Sequence, residues 1–291
     1  MRAVATPSPM LRALLSAGQD PPDELLCFDE LARAGAAAPS FEEYSARIGA
    51  QASVWRQTCY FDVASDPSLV AVANERLQRI AEALAVPLPP RMVGVLGDGG
   101  VSGPEVLQIV LGIDAAPERP RLKYYLIFRD DSARCVEQLR VALNAPPLPS
   151  SLRPGAVYIL GLDFTRERLS DFKIYVRLDP TRVRAAIRNL AQFEPLWRGS
   201  RYLVFQRCLL SAGRQVYFHA SSPLVLDTWL RGWAARAPAV RGFCGQVELM
   251  NKSLSEQGIA PLRPWIASLP HANGALQHTP SNVYYHFTDH E

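Results

Sequence analysis

The chain has 291 residues, 48% of them hydrophobic and 20% charged, with a formal net charge of +3. That length supports one large core or two ordinary domains, and so small a charge argues against a nucleic-acid or anionic-membrane partner. Five scattered cysteines with no C-x-x-C pair argue against a disulfide framework and point to reduced thiols in a cytosolic protein.

Residues 1–38, rich in Ala and Pro, carry two short helical patterns, read as a leader pair covering one end of the main body. Within them the apolar stretch 10–15 is broken by Arg12, and no run in the chain approaches a membrane span. From residue 41 a unit of strand, turn, strand and amphipathic helix begins. Asp66-Pro67 opens its helix, with Leu69, Ala73, Leu77, Ile80 and Leu84 at helical spacing. The second unit has strands over 105–114 and 122–128, then a helix from Asp131 with Val136, Leu139 and Leu143 on one face. The third has strands over 156–164 and 172–178, then Asp179-Pro180 opening a helix with Val183, Ile187 and Leu190. The fourth has strands over 202–209 and 215–220, then Ser222-Pro223 opening a helix with Leu224, Trp229 and Trp233. Strands over 265–269 and 282–287 make the fifth.

The second and third units align. Leu111-Gly112-Ile113-Asp114 matches Leu160-Gly161-Leu162-Asp163, and Lys123 matches Lys173. Such self-similarity marks stacked supersecondary units. Ten strands joined by short turns pair antiparallel, and a sheet that long is expected to curl and close, which removes its edges.

Four strands repeat one pattern, a long polar residue, any residue, then tyrosine: Lys123-Tyr124-Tyr125, Lys173-Ile174-Tyr175, Gln215-Val216-Tyr217 and Asn282-Val283-Tyr284. Arg56-Gln57-Thr58 is a fainter copy. Side chains two apart on a strand share a face, so the cations and phenols point one way and the apolar set (Phe172, Ile174, Val176) the other. The closed sheet therefore has a wet lumen and a packed outside. A ten-strand barrel is wider than one that side chains fill. Arg56, Lys123, Lys173 and Arg177 would concentrate positive charge there, and isolated buried cations are costly, so the lumen should receive a polyanion. Tyr125, Tyr175, Tyr217 and Tyr284 could hold π faces beside a cation. A diphosphate ester that ionises to an allylic cation needs both. The competing structural reading pairs the lysines with Asp114, Asp163 or Asp179 at the barrel rims.

Five ββα units with K-x-Y and N-x-Y strands resemble the ABBA, or PT-barrel, aromatic prenyltransferases, and within them the cyanobactin-type peptide prenyltransferases. The resemblance covers 41–287 and is clearest in Gly161-Leu162-Asp163 leading to Lys173-Ile174-Tyr175, in Val216-Tyr217-Phe218-His219, and in Asn282-Val283-Tyr284-Tyr285. It implies an α+β fold: one ten-stranded antiparallel barrel ringed by helices. It also implies a dimethylallyl or geranyl diphosphate donor, Mg²⁺ on the diphosphate, a peptide acceptor and a glutamate base on the first strand. Carried over by position, Arg56, Lys123 and Lys173 become diphosphate ligands, and Tyr125, Tyr175, Tyr217 and Tyr284 a tyrosine shield. The base falls at Glu42 or Glu43, which face opposite ways, so only one can enter the lumen. Phe205 lies where the family tunes donor length, and an aromatic there would shorten the pocket to a five-carbon donor. A cytoplasmic monomer is expected. Two rival readings stay open: a barrel acting on a small indole or phenol, with a closed apolar mouth, and a non-catalytic barrel holding an anionic ligand.

Weaker signals are read as structural. Gly97-Asp98-Gly99-Gly100 lacks the Gly-Lys-Ser/Thr of a phosphate loop. Asp130-Asp131 lacks the spaced third aspartate of the all-helical prenyl synthases, and Asp131 caps a helix. His219 could face the lumen and act as acid or base, though a structural histidine is the simpler reading. His271, His278, His286 and His290 show no metal-ligand spacing, and no G-x-S-x-G elbow is present.

Overall fold

The computed structural model describes residues 7–35, 38–48, 54–97, 105–116, 119–129, 132–150, 152, 154–178, 187–278 and 280–287. Helices α1 (Pro9–Ser16) and α2 (Asp23–Arg33) precede the first hairpin, β1 (Phe41–Arg47) and β2 (Val54–Phe61). Then come α3 (Leu69–Ala83), α4 (Pro90–Gly97), β3 (Val106–Asp114), β4 (Arg121–Phe128) and α5 (Ala133–Ala142). The hairpin of β5 (Ile159–Phe164) and β6 (Leu169–Leu178) leads to the short α6 (Glu194–Arg198), and that of β7 (Ser200–Cys208) and β8 (Arg214–Ala220) to α7 (Pro223–Ala234) and α8 (Pro238–Glu256). β9 (Leu262–Ala272), the two-residue β10 (Ala275–Leu276) and β11 (Asn282–Phe287) complete the chain.

The strands pair antiparallel in the order β11-β1-β2-β3-β4-β5-β6-β7-β8-β9, and β9 pairs back onto β11. Ten strands thus close into a barrel with helices around it, as the hairpin repeats require. Closure fixes the function of every strand position, because alternate side chains must go in or out. Outward residues such as Cys59, Phe61, Leu111, Ile113, Leu122, Leu126, Leu162, Phe164, Phe172 and Ile174 form the buried core with the helices. Adjacent tyrosines divide the same way. Tyr124 faces out and donates to Asn74 Oδ1 of α3 at 3.2 Å, while Tyr125 faces in.

Several helices differ from the sequence reading. The leader pair does not cap an end: α2 lies along the outer wall at β2 and β3, where Asp29 accepts from Gln57 Nε2 at 2.7 Å. Asp66 holds a turn with Ser68, and α3 starts three residues after it. On α7 the buried face is Leu226 and Leu230, while Leu224 is exposed. α8 is an element the sequence reading omitted. It presents Phe243 to Trp55 and Tyr285 on the barrel wall, and Asn251 bonds both backbone groups of Leu262 at the start of β9. Residues 179–186, where the third unit's helix is expected to open, the residues 98–100, Asp130-Asp131 and His290 lie outside the described residues; of that helix's later positions, Ile187 is not helical and Leu190 begins a short 3-10 helix. The five cysteines are free thiols. No helix among the described residues is long and apolar enough to cross a membrane.

The repeated Leu-Gly-x-Asp segments have a packing cause. A Cβ on Gly161 would lie 2.6 Å from Tyr125 Cε1 and 3.3 Å from a Tyr175 ring carbon, so the missing side chain lets both phenols lie across β5. Gly112 does the same for Thr58 and Lys123. Gly161→Val should therefore destabilise the fold by about 1–3 kcal/mol, as overpacking does. A urea midpoint equal to that of wild type would contradict this packing.

Candidate active site

Two-residue steps along a strand climb the lumen by about 6–7 Å each. On β6 the inward series Lys173, Tyr175, Arg177 therefore runs from a cationic end, through an aromatic waist, to an opposite mouth. Neighbouring strands supply the same layers.

At the cationic end, Lys173 Nζ lies 2.5 Å and Lys123 Nζ 3.8 Å from Asp163 Oδ2, with Asp163 fully buried. Arg56 donates to Asp114 Oδ2 at 3.0 Å and to Asn282 Oδ1 at 2.6 Å. Arg47 approaches the same Asp114 oxygen at 3.6 Å. Arg121, inward by register opposite Asp114, adds a fifth cation. Both sequence readings hold at once: the lysines enter the lumen, and they pair with Asp163 there. Among the described residues the carboxylates at this end, Asp114, Asp163 and the buried Asp171 opposite Asp163, are fewer than the five cations. Burial opposes the ionised form of Asp163, but Lys123 and Lys173 overcome it and hold its pKa at about 2. Burial pulls Lys123 down to about 7, aided by Lys173 and Arg56, because Asp163 is shared. Burial also works against the charge on Arg56, but Asp114 outweighs it and keeps the guanidinium ionised. Arg56 Nε, Asp114 Oδ1 and Asp163 Oδ1 are buried without a hydrogen-bond partner among the described residues. Such atoms cost free energy unless something satisfies them.

The waist is a belt of phenols. Ring centroids lie 6.2 Å apart for Tyr125 and Tyr175, 5.7 Å for Tyr175 and Tyr217, and 5.9 Å for Tyr217 and Tyr284. Burial pushes all four pKa values up, so the rings stay neutral. Tyr217 donates to Gln206 Oε1 at 2.7 Å. With Val110, Ile127, Ile159, Val204 and Ile266 the belt lines a cavity of about 110 Å³ that is partly open to solvent.

At the mouth the two glutamates separate. Glu43 lines the cavity, accepts from Tyr60 Oη at 3.1 Å and faces His286 Nε2 at 3.0 Å. Glu42 points outward, bound by Arg33 of α2 at 3.0 Å and by Tyr44 Oη at 2.5 Å, so it cannot be the lumen base. Phe205 is corrected likewise. It pairs with outward Val176, packs with the outer cluster and meets His271, so it cannot tune a lumen ligand. Val204 takes the inward place. Arg177 is not with the other cations but at the mouth, 4.0 Å over the Tyr158 ring and 5.2 Å over Tyr202. His219 lines the cavity, stacked on Tyr202 at 4.2 Å. Burial, with Arg177 and His286 nearby, lowers its pKa to about 3, which leaves a neutral ring and a feeble base.

Sequence reasoning missed Arg47, Arg121, Tyr60 and His286. Three lie one or two alternating steps from a residue it chose: Arg121 from Lys123, Tyr60 from Arg56, His286 from Tyr284. Among the described residues, no cluster of three or more His, Cys, Asp or Glu side chains is placed to hold a metal.

No protein-family profile and no curated protein sequence matches the chain. Solved structures do. A 6-dimethylallyltryptophan synthase from Micromonospora olivasterospora, in complex with DMASPP and Trp, aligns over 96% of this chain and 95% of its own, with TM-score 0.61 and 14% identity. A 6-dimethylallyl tryptophan synthase aligns over 96% and 94%, with TM-score 0.60 and 12% identity. The NotF prenyltransferase aligns over 96% and 92%, with TM-score 0.55 and 13% identity. At these identities the likeness establishes the fold: the chain is a ten-stranded antiparallel barrel like those of the ABBA prenyltransferases.

Proposed function

We propose that the barrel transfers a prenyl group from an allylic diphosphate to a small aromatic acceptor of the indole class. The observation that carries this reading is the layering of one lumen: surplus cations, then neutral phenols, then a buried carboxylate. Arg56, Lys123 and Lys173 receive the departing diphosphate, in which the electron pair of the cleaved C–O bond ends. Preorganised charge of this kind favours the dissociated state over the ester. The belt of phenols faces the allylic cation, each ring worth roughly 0.5–2 kcal/mol, and keeps water from it. The acceptor's nucleophilic atom bonds to the cation, and Glu43 takes its proton.

A small acceptor is favoured over a cyclic peptide on two grounds. Tyr158, Arg177, Tyr202 and His219 stack in pairs at the mouth and give it an aromatic rim suited to a flat ring. Two of the structural neighbours are named for tryptophan. The dimethylallyl donor is favoured by those same names, not by Phe205, which lies outside. Mg²⁺ is proposed as a companion of the diphosphate and not as a resident of the protein. The unpartnered oxygens of Asp114 and Asp163 fit such an ion, yet both carboxylates already serve cations. The ion would add charge neutralisation to the leaving group.

Mass spectrometry after incubation with dimethylallyl or geranyl diphosphate, Mg²⁺, tryptophan, simple indoles and phenols, and cyclic peptides tests the reading. The expected product is tryptophan or an indole carrying one five-carbon unit. Modification of a peptide alone would overturn the acceptor, and diphosphate binding without transfer to any acceptor would leave a passive binder. Lys173→Ala should lower turnover by ~10²–10³ in a variant that still folds, with a lowered melting temperature because Asp163 loses its nearest partner, and a wild-type rate would remove the cationic end from the mechanism. Glu43→Gln should be nearly inert while still binding donor, whereas Glu42→Gln should turn over normally. Burial lowers the pKa of Lys123 in the empty lumen to about 7, so its charge falls away as pH rises above neutrality. Donor binding should therefore take up a proton there, and affinity should weaken as pH rises from 7 to 9. Calorimetry in buffers of different ionisation enthalpy reads this uptake, which Lys123→Met should abolish.

A further inference from the structure

We propose that His286 is the exit through which each turnover's proton leaves the lumen, resetting Glu43. The inference rests on the reading of Glu43 as the base and extends it by one residue.

Glu43 is 5% exposed, and once protonated it has few ways to shed its proton. Inward from the mouth the lumen leads only past neutral phenols, whose pKa values burial has raised, to Arg56, Lys123 and Lys173, which repel a proton. One carboxylate oxygen accepts from the Tyr60 hydroxyl, whose pKa burial holds well above its ordinary value. The other faces His286 Nε2 at 3.0 Å. The His286 side chain is 26% exposed, so the same ring touches both the buried carboxylate and solvent.

The ring is also held for this purpose. Phe41 meets it edge-on at 4.8 Å, and Trp265 stacks on it at 5.9 Å. A register shift between Tyr284 and Tyr285 in the β11–β9 pairing sets the local geometry, so that His286 lies opposite Arg263. The charged or titratable groups that face it are Glu43 from β1, with Tyr60 of β2 behind it, His219 from β8, and Arg263 from β9. Arg201 of β7 stands behind Trp265 at 5.6 Å from that ring. Apart from Glu43 and the neutral phenol, these are positive or neutral, and the ring's exposed side meets solvent.

The step balances without a co-reactant. The acceptor's proton passes to a Glu43 oxygen as the new bond to the prenyl carbon forms and the pyrophosphate leaves. That proton then moves from Glu43 to His286 Nε2, and the ring releases one to bulk water. No redox change occurs, and each turnover returns both residues to their starting forms.

The test measures steady-state turnover with dimethylallyl diphosphate and tryptophan, or whichever panel acceptor wild type uses, in His286→Gln and His286→Ala. Gln preserves a hydrogen bond to Glu43 but cannot take up and release a proton near neutral pH, and it guards against a variant that merely misfolds. The relay predicts a fall in kcat of about 10² in both, with the donor KM within about twofold of wild type. It also predicts that added imidazole restores the Ala variant, more effectively for bases whose pKa lies near the working pH. His286→Gln at the wild-type rate would overturn the proposal, as would an Ala variant whose loss is indifferent to imidazole. An active Glu43→Gln would instead overturn the base, a separate failure.

Discussion

The period of two along a strand, imposed on a sheet with no edges, is the constraint on which everything else rests. Because β9 pairs with both β8 and β11, none of the ten barrel strands has a free side, and each of their residues faces either the helices or the lumen. A closed wall then makes the inside scarce and valuable. Charges placed there lose water, so they must find partners or a ligand. The chain supplies Asp114 and Asp163, enough carboxylate to let Arg56, Lys123 and Lys173 fold into the interior but not enough to quench them. The result is an interior that is stable empty and still favourable to an anion.

That balance explains the repeat. Each Leu-Gly-x-Asp segment offers a glycine that clears space for a neighbouring strand's inward group and an aspartate that holds its cations. The third and second units keep both residues, so the same structural device appears around Asp114 and around Asp163. The phenols above them stay neutral because burial penalises their ionised forms, which gives a wall that faces a cation without reacting as a phenolate.

Much of this was legible in the sequence because strand alternation is a local rule. Lys123 with Tyr125, and Lys173 with Tyr175, could be placed on one face without knowing the fold. Errors arose where a choice needed the absolute phase of a strand. Glu42 and Glu43 are adjacent, and only the pairing of Glu43 with Thr58 shows which one enters. Phe205 and Val204 pose the same problem on β7, and there an aromatic side chain drew the wrong assignment. Helix α8 escaped because Gly242 and Gly245 weaken its propensity, although Val240, Phe243, Met250 and Leu254 recur at helical spacing. The role of His286 depends on contacts across three strands, which no linear pattern displays.

The central claim is that the lumen holds an allylic diphosphate with its phosphates at the lysines and its hydrocarbon in the tyrosine belt. A crystal structure with a non-hydrolysable thiolodiphosphate donor analogue tests it most directly. The account predicts phosphate oxygens bonded to Arg56, Lys123 and Lys173, with the dimethylallyl group between Tyr125, Tyr175, Tyr217 and Tyr284. An analogue bound at the mouth beside Arg177, or a lumen that stays filled by the Lys173–Asp163 pair at saturating analogue, would contradict it.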